Sequence, residues 1–242
     1  MVGEQRLQPR NELVIRDRYG TILFSSPEHN AEELAHFLKN AAASGLDISD
    51  ANLSHTVIAG KAGDPLDLSG LILRNGRFHG VVFSHVIMSH ADLRHGDFFQ
   101  ARLHNVEFDG TKLADANFND VSGHLVSFDR VRAPRCTFYR ADLHYPLFRQ
   151  TMLAQSDFRA ATLLVADFEG ADLTRSKFSH LHITDGIYLA DACLRYADIQ
   201  TPFFSYAGED GYVDMRGTDL RDSKGLYYWR QAERILMDGA RV

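Results

Sequence analysis

The sequence predicts an all-β solenoid, a rod of stacked coils, and three regularities support this. Large apolar residues recur at every fifth position from Leu73 to Tyr188, where 22 of 24 positions are large and apolar and 11 of the 16 phenylalanines fall in one phase. Small or β-branched residues lie two positions before these centres, and the centres sort into four columns with a period of twenty. Neither an α-helix nor a flat strand has a five-residue period, so the pattern indicates a different regular structure.

The repeating unit consists of a small residue, an Asp or Asn, a Leu or Phe and two further residues. Clean copies are Ala51-Asn52-Leu53, Ala91-Asp92-Leu93, Ala141-Asp142-Leu143, Ala166-Asp167-Phe168 and Ala171-Asp172-Leu173. In phase and in tandem, this unit strongly resembles the pentapeptide-repeat family over roughly residues 46–222. The resemblance implies a right-handed quadrilateral β-helix, in which four pentapeptides make one coil and residues n and n+20 stack.

The four columns of centres differ in composition. Two opposite columns, from Phe78 to Phe178 and from Met88 to Tyr188, are rich in phenylalanine, and the other two are mainly aliphatic. Because neighbouring coils are expected about 4.8 Å apart, stacked rings and nested leucines should form one continuous dry core.

Residues 1–45 are predicted to cap the first coil. Strands at Glu12–Asp17 and Thr21–Ser26 are expected to form a hairpin around Tyr19-Gly20. A helix is then predicted to begin at Ser26-Pro27-Glu28, since Ser is a good N-cap and Pro fits the first helical position. Gly45 is expected to end it.

The repeat region is predicted over residues 46–222 and a C-terminal helical cap over 223–242, with a helix from Gly225 to Asp238. Such caps cover the exposed core and strand edges of a solenoid. The alternative is a homodimer through the C-terminal aromatic residues, because members of the family pair by that end.

Three places interrupt the five-residue register. Residues 60–65 are rich in turn formers and predict an irregular side of one coil. The register slips by one near Gly186, and residues 205–213 predict a short acidic surface loop. Its Glu209 and Asp210 are a further candidate for partner binding, and a bulge without a role is the alternative.

Composition excludes several classes of protein. The chain is 45% hydrophobic and 24% charged, and no apolar run approaches the roughly 20 residues of a membrane span. No secretory signal is recognisable, and two cysteines are too few for disulfide bonds to stabilise a domain of this size. A reducing, cytoplasmic location is therefore expected. The net charge of −6 argues against a dedicated nucleic-acid binder.

His104, His124 and His144 directly follow centres and are twenty residues apart. They should therefore form an outward ladder on one face of the rod. No carboxylate or cysteine completes a ligand set in this column, so no metal site is predicted. We interpret the ladder as the first candidate for a partner-binding face, and a solvated surface ladder is the alternative.

The coil of residues 121–140 is atypical. Gly123 and Ala133 replace large centres, which predicts lost core volume. Four arginines and one aspartate give this coil a net charge of +3. A basic binding spot that includes Arg130, Arg132 and Arg135 is one hypothesis, and a degenerate repeat with solvated arginines is the other.

The sequence contains no recognisable catalytic or nucleotide-binding motif, and a filled rod offers no concave pocket. No enzymatic activity and no cofactor are predicted. The expected function is that of a scaffold that binds a protein partner through an outer face. The resemblance adds two alternatives, a DNA mimic that binds bacterial DNA gyrase or topoisomerase and a secreted bacterial effector. Residues 46–222 carry a net charge of −7, with the +3 coil in their middle.

Overall fold

The computed structural model describes residues 12–16, 19–26, 30–205, 212–230 and 235–242. The described elements, in chain order, are β1 (Leu13–Arg16), β2 (Ile22–Ser26), α1 (Ala31–Ser44), β3 (Val57–Ala59), β4 (Leu66–Asp67), β5 (Val82–Ile87), β6 (Arg102–Glu107), β7 (Ser122–Ser127), β8 (Asp142–His144), β9 (Thr162–Asp167), β10 (His182–Tyr188), β11 (Phe203–Ser205), β12 (Tyr212–Asp214), α2 (Leu226–Trp229) and β13 (Ile235–Leu236).

The chain winds into a parallel β-solenoid of about eight coils, as predicted. Strands β5 to β9 pair in parallel, each with the strand twenty residues further along the chain. Isolated parallel bridges with the same spacing occur on the other sides of the coil. At each bridge the backbone bonds in both directions: Leu73 N–H donates to Asp92 C=O, and Asp92 N–H donates to Leu71 C=O. This ladder satisfies the buried backbone groups.

The core consists of the predicted centres, except that Leu189 and not Tyr188 follows Phe168 in the Met88 column, because the register slips at Gly186. The phenylalanine centres are at most 1% exposed. Within each phenylalanine column, consecutive rings from Phe78 to Phe178 and from Phe108 to Phe168 stack with centroids 4.4 to 5.1 Å apart. The two columns meet edge to face at 5.5 to 6.1 Å. Both arrangements are favourable for aromatic rings and add about 0.5–1.5 kcal/mol per pair beyond burial.

Short polar side chains stabilise the corners of each coil. The Asp or Asn before a centre accepts a hydrogen bond from the N–H two residues later, as Asp97 does from Phe99 and Asp172 does from Thr174. The second residue after most centres adopts a left-handed conformation, for example Arg135 with φ of 60°. Its N–H donates to Ala154 C=O of the next coil, which offsets the cost of this conformation.

Small polar residues at the inward position bond to the preceding coil. Thr111 and Thr151 hydroxyls donate to the Met88 and Phe128 carbonyls at 2.8 Å. Cys136 takes the same role with Leu113 C=O, and burial raises the pKa of its thiol to about 12.

The N-terminal hairpin and helix are present, but the predicted start of the helix was wrong. Helix α1 begins at Ala31, because the Asn30 side chain accepts hydrogen bonds from the N–H groups of Glu32 and Glu33. Ser26 instead ends β2, and residues 27–29 lie outside the described part of the chain. Gly45 ends the helix in a left-handed conformation, as predicted. Buried residues of α1 join the core cluster of the solenoid; they are Leu34, Leu38 and Ala41.

The prediction of a helix from Gly225 to Asp238 was wrong at its C-terminal end, and residues 231–234 lie outside the described part of the chain. Helix α2 covers only Leu226–Trp229, and Ile235–Leu236 forms strand β13, which pairs in parallel with β12. Trp229 is buried and its indole Nε1–H donates to Ile199 C=O at 2.6 Å. Arg241 also pairs with Asp219 of the preceding coil, so the backbone ladder continues past residue 222. The division into a cap, a repeat region and a second cap stays a prediction.

The predicted register changes are also present. Around residues 60–65 the spacing between paired residues is 25, as between Asp47 and Ile72, and it returns to twenty by β5. The bulge in β10 lies between Thr184 and Ile187 and includes Gly186. Of the predicted acidic loop, residues 206–211, which include Glu209 and Asp210, lie outside the described residues.

Replacing a ring in the aromatic columns should be far more costly than replacing an outward ring beside it. We expect Phe138→Ala to lower the free energy of unfolding by about 3–5 kcal/mol, since it removes stacking and leaves a cavity. Tyr139→Ala, at a position 41% exposed, should cost less than about 1 kcal/mol. Urea unfolding followed by circular dichroism measures both, and equal losses would contradict the inward assignment of Phe138.

Candidate protein-binding faces

The rod has four outer faces, which we define by their columns of centres. Face 1 lies over the Leu73 column and face 2 over the Phe78 column. The histidine face lies over the Phe83 column, opposite face 1, and the acidic face lies over the Met88 column, opposite face 2. Each pentapeptide contributes three outward residues to its face, the one before the centre and the two after it.

Charge is distributed unequally among these faces in the described part of the chain. Face 1 carries nine basic and seven acidic side chains, and face 2 carries five and four. The acidic face carries nine carboxylates and three arginines, a net charge of −6. The histidine face has only three charged side chains besides its histidines, namely Arg102, Asp142 and Asp185.

The histidine face also exposes the most apolar surface. Four large apolar side chains lie on it with 43% to 55% of their area exposed, namely Val57, Leu125, Tyr145 and Phe203. Face 1 has two such residues, Met152 and Tyr196, over the described residues. An uncharged face with exposed aromatic and aliphatic groups has the composition of an interface core.

The structure brings the three predicted histidines together on strands β6, β7 and β8, where they are direct neighbours in the ladder. The rings of His104 and His124 stack with centroids 5.6 Å apart, and those of His124 and His144 lie 6.5 Å apart. His144 Nε2 is 3.2 Å from Asp142 Oδ1, and Tyr145 packs edge to face on His124.

These histidines form one wall of a shallow trough of about 300 Å³. Arg102, Ser122 and Asp142 form the opposite wall, and the chain at Leu103 and Gly123 forms the floor. The trough crosses four coils, from Val82 to Asp142, a length of about 14 Å at the strand spacing.

The predicted loss of core volume at Gly123 is compensated from within the core. A Cβ added at Gly123 would lie 2.7 Å from Leu143 Cδ2 and 3.0 Å from Val126 Cγ2. These two side chains therefore fill the space that a larger centre would take. Only the outer side of Gly123 is open, and it faces the trough.

The positive charge of the 121–140 coil is largely paired with the coil before it. Arg130 lies 3.5 Å from Asp109, and Arg135 lies 2.6 Å from Asp115. Arg140 pairs in the same way with Asp120 at 3.0 Å. The hydrogen bonds from Arg135 hold the pKa of Asp115 below its usual value. These contacts weaken the hypothesis of a basic spot formed by Arg130, Arg132 and Arg135, although no binding data test it.

The acidic face was missed by reasoning from the sequence. Part of its charge is neutralised locally, since Asp109 pairs with Arg130, Asp129 with Arg149 and Asp214 with Arg216. The hydrogen bonds from Arg216 hold the pKa of Asp214 below its usual value. Sorting the outward residues, and not only the centres, by a period of twenty would have revealed this face.

The model of the family "pentapeptide repeats" matches this chain in eight copies over residues 67–98 and 141–180. Together with the coil geometry, these matches support the family that the sequence predicts. The chain contains pentapeptide repeats. The matched ranges flank residues 99–140, which carry Gly123 and two of the three ladder histidines.

Solved structures of other pentapeptide-repeat proteins are similar to it. HetL, a pentapeptide repeat protein involved in heterocyst differentiation regulation from the cyanobacterium Nostoc sp. strain PCC 7120, is 18% identical, with 88% of this chain and 92% of HetL covered and a TM-score of 0.29. A trypsin-treated variant of QnrB1, a plasmid-mediated fluoroquinolone resistance protein, is 19% identical, with 74% and 84% covered and a TM-score of 0.37. No curated protein matches this sequence.

The described residues contain no group of three or more His, Cys, Asp or Glu side chains placed to hold a metal ion. Neither described helix has the length and apolarity needed to cross a lipid bilayer.

The compensation at Gly123 leads to a double-mutant test. Gly123→Ala should lower the free energy of unfolding by about 1–3 kcal/mol, because its methyl group overlaps Leu143. In a Leu143→Ala background the same change should cost clearly less, since the competing side chain is gone. Urea unfolding of the four proteins gives the coupling, and additive effects would show that Leu143 does not fill the space beside Gly123.

Proposed function

We propose that this protein is a non-catalytic scaffold that binds a protein partner through its histidine face. The observation that carries the proposal is the composition of that face. Among the residues that the structure describes, it has three charged side chains besides its histidines, in a rod whose other faces are densely charged, and it exposes Val57, Leu125, Tyr145 and Phe203. Removing such apolar groups from water is the main source of affinity in protein association.

The trough favours a protein partner over a small-molecule substrate. It is shallow and open along the rod, whereas substrate sites usually enclose most of their ligand. Its width and floor suit the insertion of one or two apolar side chains from a partner, with the histidine ladder as a polar rim. A nucleic-acid partner is disfavoured because the histidine face has a single arginine, Arg102, and the adjoining face is strongly acidic.

One observation, the net charge of −6 on the acidic face, favours a second candidate, the DNA mimic that binds gyrase or topoisomerase. Duplex DNA carries phosphates on two strands around its axis, while faces 1 and 2 of this rod are close to neutral. This difference makes the DNA mimic the weaker candidate, and a gyrase supercoiling assay tests it directly. A cytoplasmic location, the secreted-effector alternative and a homodimer through the C-terminal end stay predictions.

The histidine face is tested by two matched pairs of substitutions. Leu125→Asp with Tyr145→Asp places charges on the histidine face, and Met152→Asp with Tyr196→Asp does the same on the opposite face 1. All four side chains are 43% to 51% exposed, so both variants should fold as the parent does. Capture of partners from a lysate of the native host, quantified by mass spectrometry, should fall at least about tenfold for the first pair only.

Equal capture by both variants, or a loss confined to the face 1 pair, would contradict the proposal. So would a parent protein that captures nothing above bare resin. A His104→Ser, His124→Ser, His144→Ser variant then separates the contribution of the ladder from that of the apolar groups.

A further inference from the structure

We infer that the docking surface extends over the corner between the histidine face and the acidic face, and that its occupant is an amphipathic basic helix of the partner. This inference rests on the proposed protein-binding function and names the chemistry of the partner. It starts from the fact that the least charged face and the most acidic face of the rod share an edge.

The shared corner is a stripe of apolar residues interrupted by polar and acidic ones. Leu125 and Tyr145 lie on its histidine-face side, and Ile87, Leu147 and Tyr188 lie in the first outward column of the acidic face. Leu125 and Tyr145 are exposed, and the other three are half-buried. From the coil of Ile87 to that of Tyr188 there are five coil steps, or about 24 Å.

Carboxylates without an ion pair lie within and beside this stripe. In the column of Leu147, Glu107 is two coils before it and Asp167 is the next ladder neighbour after it. Glu169 and Asp191 lie further out on the same face and are exposed. Among the described residues no lysine, arginine or histidine lies within ion-pair distance of these four carboxylates, in contrast to Asp109, Asp129 and Asp214.

The backbone at this corner is already hydrogen-bonded within the rod, which disfavours binding of a partner segment as an added strand. Its N–H and C=O groups bond to the coils before and after, for example Tyr145 N–H to Leu164 C=O and Leu147 N–H to Val126 C=O. A partner segment lying along the rod therefore finds no open sheet edge on which to pair. A helix satisfies its own backbone bonds, and about 16 residues of helix match the 24 Å stripe at 1.5 Å per residue.

Charge complementarity fixes the sign of the polar residues on that helix. With apolar residues of the helix on Leu125, Tyr145 and Leu147, its flank over the acidic face lies toward Glu169, and Glu107 and Asp167 lie before and after Leu147 in the same column. Lysine or arginine on this flank is attracted to the carboxylates that have no ion pair. Glutamate at the same positions is repelled by them.

Binding of designed peptides to the full chain tests the inference. The probe is a fluorescent 18-residue peptide with leucines at helical i, i+3, i+4, i+7 spacing and lysines on the remaining positions. A scrambled peptide of the same composition and a peptide with glutamate in place of lysine are the controls. We expect fluorescence anisotropy to show that the probe binds at least about tenfold more tightly than either control, and more weakly as salt is added.

Two protein variants of equal charge change locate the site. Glu107→Gln with Glu169→Gln removes two unpaired carboxylates of the acidic face and should weaken probe binding about fivefold. Asp50→Asn with Asp222→Asn removes two exposed carboxylates of face 1. The affinity of this variant for the probe should stay within about twofold of that of the parent. Leu125→Asp with Tyr145→Asp should weaken probe binding at least tenfold.

Equal binding of the scrambled peptide, or equal losses in the two carboxylate variants, would overturn the inference, because both indicate unspecific attraction to an acidic protein. These results are separable from failure of the proposed function. A probe that does not bind, with partner capture still lost in the histidine-face variant, rejects only the basic helix. If partner capture is unchanged in the Leu125→Asp, Tyr145→Asp variant, the histidine face is rejected as the binding face.

Discussion

The constraint on which the rest of the structure depends is the twenty-residue register between coils. Each residue lies one strand spacing, about 4.8 Å, from its equivalents in the neighbouring coils. A phenylalanine therefore stacks on a phenylalanine, as Phe138 does on Phe118 and Phe158. The backbone ladder and the aromatic columns share this spacing, so neither can form without the other being in register. Contacts between coils thus hold the fold together, and isolated pentapeptides have no core of their own.

The same register determines how charges are paired on the surface. Arginines reach carboxylates one coil away, as Arg135 does to Asp115 and Arg149 does to Asp129. A local count of charge over one coil therefore misjudges the surface, because three of the four arginines in residues 121–140 are paired with carboxylates of the coil before. Core volume is also shared between coils, since Leu143 of the next coil fills the space that the missing side chain of Gly123 leaves.

The sequence was sufficient for the core because one strong signal repeats many times. The five-residue period identified the buried centres, the four columns and the slip at Gly186. The five-residue period did not predict the parts of the structure that depend on only a few residues. Asn30 caps the helix in place of Ser26, because its side chain accepts hydrogen bonds from the N–H groups of Glu32 and Glu33. Composition alone does not rank two possible caps that lie four residues apart.

At the C-terminus, strand β13 has two residues, too few to show any period, and the aromatic residues before it resemble an amphipathic helix. Its place in the ladder is decided by pairing with β12, a contact that no local pattern encodes. The candidate faces were predictable only in part. The histidine ladder followed directly from the period of twenty, while the acidic face required the same sorting of every outward position.

Stacking also limits how a solenoid can concentrate one kind of charge. Two carboxylates in successive positions of a column lie about 4.8 Å apart, where like charges repel by about 1 kcal/mol even in water. A column of uninterrupted carboxylates would therefore oppose the ladder that carries it. In the first outward column of the acidic face, the residues between Glu107 and Asp167 are Ser127 and Leu147, which separates the two charges by about 14 Å. Apolar groups in such a column reduce repulsion within the rod, and they also leave an alternating apolar and acidic stripe. The spacing that makes the coils stable is thus the one that gives this edge the two kinds of contact a basic amphipathic partner requires.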